Sequence, residues 1–151
     1  MAEHDLPELN YRAIFNGGAA PYLILAVDPP RYTILGASDA YLAATKRTRE
    51  DLVGKPILEA FPNNPNEDID SESIVRGALD RVRATLKPDY LPIVKYDVPR
   101  SAAEGGGFTT KYWSPVHSPV FDEHGALVHI AQRVDDVTEL HEAHERLKEL
   151  D

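Results

Sequence analysis

At 151 residues and 42% apolar content, the chain has the size of one compact domain with a single hydrophobic core. A formal charge of -9, with 16 basic residues scattered among 25 acidic ones, argues against nucleic acid as a partner, because phosphate binding needs clustered Lys and Arg. The absence of cysteine removes disulfides, thiolate nucleophiles, Cys-ligated zinc and iron–sulfur clusters together.

No apolar run approaches the ~20 residues needed to span a bilayer, and Met1-Ala2-Glu3-His4-Asp5 has neither the basic end nor the apolar stretch of a secretory signal. The expected location is the cytoplasm, as a whole protein or as a cytoplasmic piece of a longer one, without membrane insertion by this segment.

Leu6 to Phe15 carries Leu9, Ala13 and Ile14 at helical spacing and stops at Asn16-Gly17-Gly18, so a short helix is predicted. Pro21 then opens the apolar run Tyr22 to Val27. The turn Asp28-Pro29-Pro30-Arg31 leads to a second run, Tyr32 to Ala37, and the pair predicts a hairpin. Ser38 is placed to cap a helix over Asp39 to Thr45, with Asp39 complementing the helix dipole. Thr48 offers a second cap with Asp51 set for a capping box, Gly54 ends that helix, and another turn is expected over Ile57 to Phe61.

Pro62 to Asp70 is polar and turn-rich, a surface loop, after which Ser71 is the expected cap of a longer helix. Its face is Val75, Ala78, Leu79, Val82 and Leu86, and Lys87-Pro88 stops it. Leu91 to Val98 reads as a strand and Ser101 to Gly107 as a flexible connection.

Phe108 to Thr138 reads as a long hairpin turning at Asp122-Glu123-His124-Gly125, with Gly125 closing a three-residue loop with a bulge. In that register Val116 and Val120 share a face with Val128, Ile130 and Val134. His117, His129, Arg133 and Trp113 take the other. The order of elements is that of an α+β domain with an antiparallel sheet.

This order resembles the PAS family of sensor domains, over roughly Leu9 to Thr138. Ser38-Asp39-Ala40-Tyr41 is similar to the family's Asn-x-Ala-aromatic step after the second strand, with Ser38 in place of Asn. Tyr96 to Arg100, the Gly-rich loop and Lys111 to Val120 look like the last strands of PAS domains from bacterial sensor histidine kinases. Asp136-Val137-Thr138 matches the Asp-x-Thr junction between PAS sheets and their outgoing helices.

The resemblance implies a five-stranded antiparallel sheet with short helices between strands two and three, plus helices at both ends. It divides the chain into a flanking helix and turn (1–20), a sensor domain (21–138) and the start of an outgoing signalling helix (139–151). It also implies a sensory role: a small ligand or conformational signal is relayed through Asp136 and Thr138 to an output domain in a longer protein, such as the kinase of a two-component system. PAS domains signal as dimers, and Leu140, Ala143, Leu147 and Leu150 have coiled-coil spacing over about two heptads. The bland alternative is a helix that packs back on its own domain.

PAS ligands sit between the helices and the inner sheet face, which makes Gln132 the leading ligand contact, since its amide both donates and accepts. Tyr96, Tyr112 and Ser114 are further candidates. Alternatively, Gln132 is a core residue bonded to Ser114 or to backbone.

The cofactor stays open. The adduct-forming cysteine of light-oxygen-voltage (LOV) domains does not exist here, and the long helix has no histidine to ligate haem iron. His117 and His129 could meet across the hairpin, but two histidines without a third ligand do not predict a metal site. His141 and His144 are expected to face solvent.

No nucleophile elbow, phosphate loop or paired metal motif appears, so the chain is not read as an enzyme and no catalytic residue is assigned. A small hydrolase is the weakest alternative. The stronger one is a ligand-free dimerisation or interaction module, with Trp113 outward against a partner. An internal cavity would separate the two.

Overall fold

The computed structural model describes residues 6–65 and 67–150. Residues 1–5, 66 and 151 lie outside the described residues, and with them the last residue of the predicted outgoing helix and one residue of the Pro62 to Asp70 loop.

The first helix, α1 (Tyr11–Gly17), opens where the Asn10 side chain accepts the Ala13 N–H at 3.0 Å. It starts later than Leu6 because Leu6 and Leu9 are exposed and bury nothing that would hold another turn. β1 (Tyr22–Ala26) buries Leu23 and Leu25 and pairs with β2 (Ile34–Ala37). Strand β2 begins two residues later than predicted. Asp28 accepts the Thr33 N–H at 2.8 Å and holds the turn, while Tyr32 takes a positive φ and sends its hydroxyl to Asp80.

α2 spans Asp39–Thr45, as predicted, and Ser38 does more than cap it. Its buried Oγ accepts the Tyr41 N–H at 3.3 Å and the Tyr22 N–H at 2.9 Å, and donates to the Ala20 carbonyl at 3.0 Å. One hydroxyl therefore fixes the angle between strand and helix. Ser38→Ala is expected to cost about 2 kcal/mol in urea denaturation, the sum of a lost cap and an orphaned strand amide. An unchanged midpoint would refute that role.

α3 (Arg49–Leu52) is capped by Thr48, but the predicted capping box forms only by half. The Asp51 carboxylate turns outward to Arg47 and Lys55 instead, two cations that bind it more strongly than a backbone amide does. α4 (Ile57–Ala60) follows, then α5 (Ser71–Thr85). The cap of α5 is Asp70, not Ser71: its carboxylate accepts the Ser73 N–H at 3.1 Å, and Ser71 is buried. Ala78, Leu79 and Val82 face the core, whereas Leu86 closes the helix at φ 58 and swings out to half exposure.

Of the predicted third strand, Leu91 to Val98, only Val94–Lys95 and Val98 are strand, and another short strand precedes it. β3 (Asp89–Tyr90) and β4 (Val94–Lys95) both pair with a later strand, β7 (Tyr112–Phe121), and Leu91-Pro92-Ile93 interrupts them because Pro92 has no N–H to give a ladder. β5 (Val98–Pro99) and β6 (Phe108–Thr109) form a separate two-stranded ribbon. Between them the expected flexible connection holds a 3-10 turn, Ala102–Glu104, capped reciprocally by Ser101 and Glu104. Glu104 also reaches Lys46 at the end of α2, 2.9 Å away.

β7 (Tyr112–Phe121) and β8 (Leu127–Asp136) complete the sheet, whose order is β2-β1-β8-β7 with β3 and β4 at the far side. This is the α+β architecture expected from the sequence. The hairpin register is not. Gly125 takes φ 82 as predicted, but a further bulge lies near the turn, where Val120 pairs with His129 and Phe121 with Leu127. Val128 is the extra residue, and one extra residue inverts the faces of β7 relative to β8.

Trp113, Pro115 and His117 therefore point inward opposite Asp136, Val134 and Gln132. Val116 and Val120 point outward opposite Arg133 and His129. His117 and His129 lie on opposite faces and cannot form a pair. The core thus rests on Leu23, Leu25, Ile34 and Ile130, all fully buried, under α2 to α5.

Candidate functional site

Between the helices and the inner face of β7 and β8 lies a cavity of about 290 Å³. Val134, Trp113, Pro115 and Gln132 form its floor, all brought there by the corrected register. Its helical side carries Tyr41 and Phe61, and Tyr96 lines it as well. The three rings meet edge to face, with centroids 6.0 Å apart for Tyr41 and Phe61 and 6.3 Å for Phe61 and Tyr96. Such contacts hold an apolar wall in one shape.

Polar groups on this wall are few and placed. The Tyr41 hydroxyl donates to Gln132 Oε1 at 2.8 Å, and Gln132 Nε2 lies 3.0 Å from His117 Nε2. Burial depresses the His117 imidazole to about 4, the Asp89 carboxylate only partly opposing it, so the ring is neutral at pH 7. With the amide so oriented, His117 accepts through Nε2 and carries its proton on Nδ1, which is buried without a partner among the described residues. Among the described residues the Gln132 side chain is bonded neither to Ser114 nor to backbone. It links a helix to two strands.

Arg47 stretches along the rim, its guanidinium 5.0 Å from the Phe61 ring centroid, bonded to Asp51 and to the Ala60 carbonyl at 2.6 Å. The Tyr96 hydroxyl, pushed up to about 12 by burial, donates to the Pro62 carbonyl at 2.6 Å. Trp113 donates to the Tyr96 carbonyl at 2.9 Å. Asp97 is buried too, and the Asn64 amide donates to its Oδ2 at 3.0 Å.

Of the predicted ligand residues, Gln132 and Tyr96 line the cavity. Tyr112 and Ser114 do not. They alternate with Trp113 and Pro115 along β7 and so take the outer face. Tyr41, Phe61, Arg47, Asn64, Asp97 and Trp113 were missed as site residues. Tyr41 was the readable one, since it ends the Ser38 to Tyr41 step and follows the cap at the spacing that turns a helical side chain toward the sheet.

The floor strand runs directly into the junction. Asp136 accepts the Thr138 N–H at 3.0 Å and its hydroxyl, and pairs with Lys111 at 3.1 Å. Burial alone would raise the Asp136 carboxyl, but the Thr138 bonds and Lys111 outweigh it and hold it below the usual range. Thr138 Oγ1 in turn accepts the Tyr112 N–H at 3.0 Å, and the Val137 N–H reaches the Tyr112 carbonyl at 2.8 Å. Both strands of the hairpin therefore grip the first residue of α6 (Thr138–Glu149).

Leu140, Leu147 and Leu150 are exposed along α6, so they do not pack back on this domain, while Ala143 is half-buried. His141 is not free in solvent as expected. Its ring stacks on Tyr112, with centroids 3.9 Å apart.

No family model and no curated protein matches this sequence. Solved structures do. An RNA-binding light-oxygen-voltage receptor superposes with a TM-score of 0.65 at 18% identity, over 93% of this chain and 36% of its own length. The PAS domain of the fruit-fly ELK potassium channel gives 0.60 at 14% identity, over 85% and 94%. The Rhodobacter sphaeroides LOV protein gives 0.58 at 16%, over 84% and 65%.

The fold is that of PAS and LOV domains. At these identities the likeness is one of fold, and the chain spans only about a third of the receptor's length. In that fold the cavity described above lies between the sheet and the helices that connect β2 to β3. No helix of the described residues is long and apolar enough to cross a membrane.

Proposed function

We propose that this chain is a sensory domain that takes a small ligand in its cavity and passes the change through α6 to an output domain in a longer protein. The observation that carries this reading is the continuity of β8. Gln132 stands on the cavity floor, and four residues on, Asp136 holds the start of α6. A ligand that binds one arrangement of Gln132 better than another shifts the strand, and the strand ends in the junction.

The output is proposed to be the kinase of a bacterial two-component system, in the cytoplasm, with residues 21–138 as the sensor and the helix from residue 139 as its outgoing arm. Catalysis would lie in the linked domain. Leu140, Ala143, Leu147 and Leu150 would meet the same residues of a second copy, since four small or apolar side chains on one helical stripe need a partner to leave water.

That exposed stripe also favours a second reading, a dimerisation module that needs no ligand. Native mass spectrometry of the purified domain separates the two. A dimer carrying added small-molecule mass is expected, and a dimer that stays at its bare mass against every ligand offered favours the module.

The relay has its own test. Asp136→Ala in the intact protein is expected to change signalling output severalfold while costing about 1 kcal/mol or less in stability, because the carboxylate is partly solvated. Equal basal and stimulated output in the variant would remove Asp136 from the relay.

A further inference from the structure

The wall of the cavity holds one buried carboxyl oxygen with no hydrogen-bond partner among the described residues. Asp97 is 8% exposed, its Oδ2 is taken by Asn64, and its Oδ1 is buried with no partner among the described residues. A carboxylate offers about four lone-pair sites, and leaving them empty away from water is costly. The nearby cations are already committed. Lys95 is bonded to Glu67 at 2.7 Å, and Arg47 to Asp51 and the Ala60 carbonyl. Asp97 borders two voids, the main cavity and a second of about 10 Å³, which is at the lower limit for a single water. Of the two, only the main cavity is large enough to admit part of a ligand.

Much of what else faces that space is aromatic or apolar, Tyr41, Phe61, Tyr96 and Trp113 with Val75 and Val134, while its one other charged residue, Arg47, is paired with Asp51. Ring faces carry negative potential and attract cations, as does the carboxylate. We infer that the cavity selects ligands with a ring-sized apolar body and a protonated amine, the amine donating to Asp97 Oδ1 and the body lying among the aromatic rings. This rests on the reading of the cavity as a ligand site, and adds to it the charge of what is sensed.

Three probes of one shape test it: 2-phenylethylamine, 2-phenylethanol and 3-phenylpropionate. Trp113 is the only tryptophan and lines the cavity, so its indole N–H resonance reports occupancy directly. The amine is expected to bind at least about tenfold more tightly than the carboxylate, with the alcohol between, as one charge-assisted hydrogen bond implies. Asp97→Asn, which keeps the shape and an acceptor for Asn64, is expected to bring the three within about twofold of one another.

A carboxylate that binds as well as the amine in the unaltered protein would overturn the inference. So would an amine preference that survives in Asp97→Asn. In either case the cavity would remain a ligand site. If none of the three moves the Trp113 signal, the ligand reading itself falls, and the inference with it.

Discussion

Taking the domain from about pH 7 to about pH 4 is expected to remove about 3 kcal/mol of folding stability through one buried side chain, His117. Its imidazole is fully buried on the inner face of β7, and burial lowers its proton affinity from 6.5 to about 4, with Asp89 opposing and Arg81 assisting the shift. The unfolded chain therefore takes up this proton first. A base whose folded affinity is depressed contributes its full stability above about 6.5, and loses it as pH falls toward about 4. The carboxylates held below their usual range by hydrogen bonds and cations, among them Asp51, Asp89 and Asp136, release their share lower still, as they are protonated. Among the groups held away from their ordinary range, the histidine is the one that acts in the window between. Protonation also makes Nε2 a donor facing the Gln132 amide, so the amide must turn. Urea midpoints measured at several pH values should fall across this window in the native sequence and stay level in His117→Gln. Parallel curves would mean that His117 is charged or solvated in the folded state.

The elements that local chemistry decides were legible before the structure. Ser38 and Thr48 announce helix starts because a hydroxyl there meets an amide the helix leaves free, and α2 takes its predicted bounds. The long face of α5 follows from its period. What failed was the sheet face that builds the site. The apolar alternation of Val116 and Val120 with Ile130 and Val134 is good evidence for a register, but Val128 inserts one residue and hands the inner face to Trp113, Pro115 and His117. Nothing local marks that bulge, since Val128 is an ordinary strand residue and the decision lies in the fit of Trp113 and His117 under the helices. Gln132 was legible on β8, whose own alternation is clean, and Tyr112 and Ser114 were misplaced with the rest of β7. Asp97 and Arg47 come to the cavity from loops, where no period announces the direction of a side chain.

Gln132→Leu is expected to cost about 3 kcal/mol, although leucine fills the volume and carries no polar atom to bury. The loss comes from the partners. The Tyr41 hydroxyl and the His117 ring stay buried at 3% and 0% exposure with their hydrogen bonds gone, and each orphaned group costs about 1–3 kcal/mol, offset in part by leucine's apolar burial. Burial already holds the Tyr41 hydroxyl far above its ordinary pKa, so it cannot escape by ionising. The account has a sharp consequence. Adding Tyr41→Phe to Gln132→Leu removes one orphan and should restore about 1 kcal/mol, although the same change alone in the native sequence is destabilising, since it leaves the Gln132 Oε1 acceptor without its donor. Denaturation of the two single variants and the double closes the cycle. Additive losses would show that Tyr41 and Gln132 do not act on one another. A restored double variant would establish that α2 and β8 act as one unit through Gln132, which a ligand in the cavity can reach.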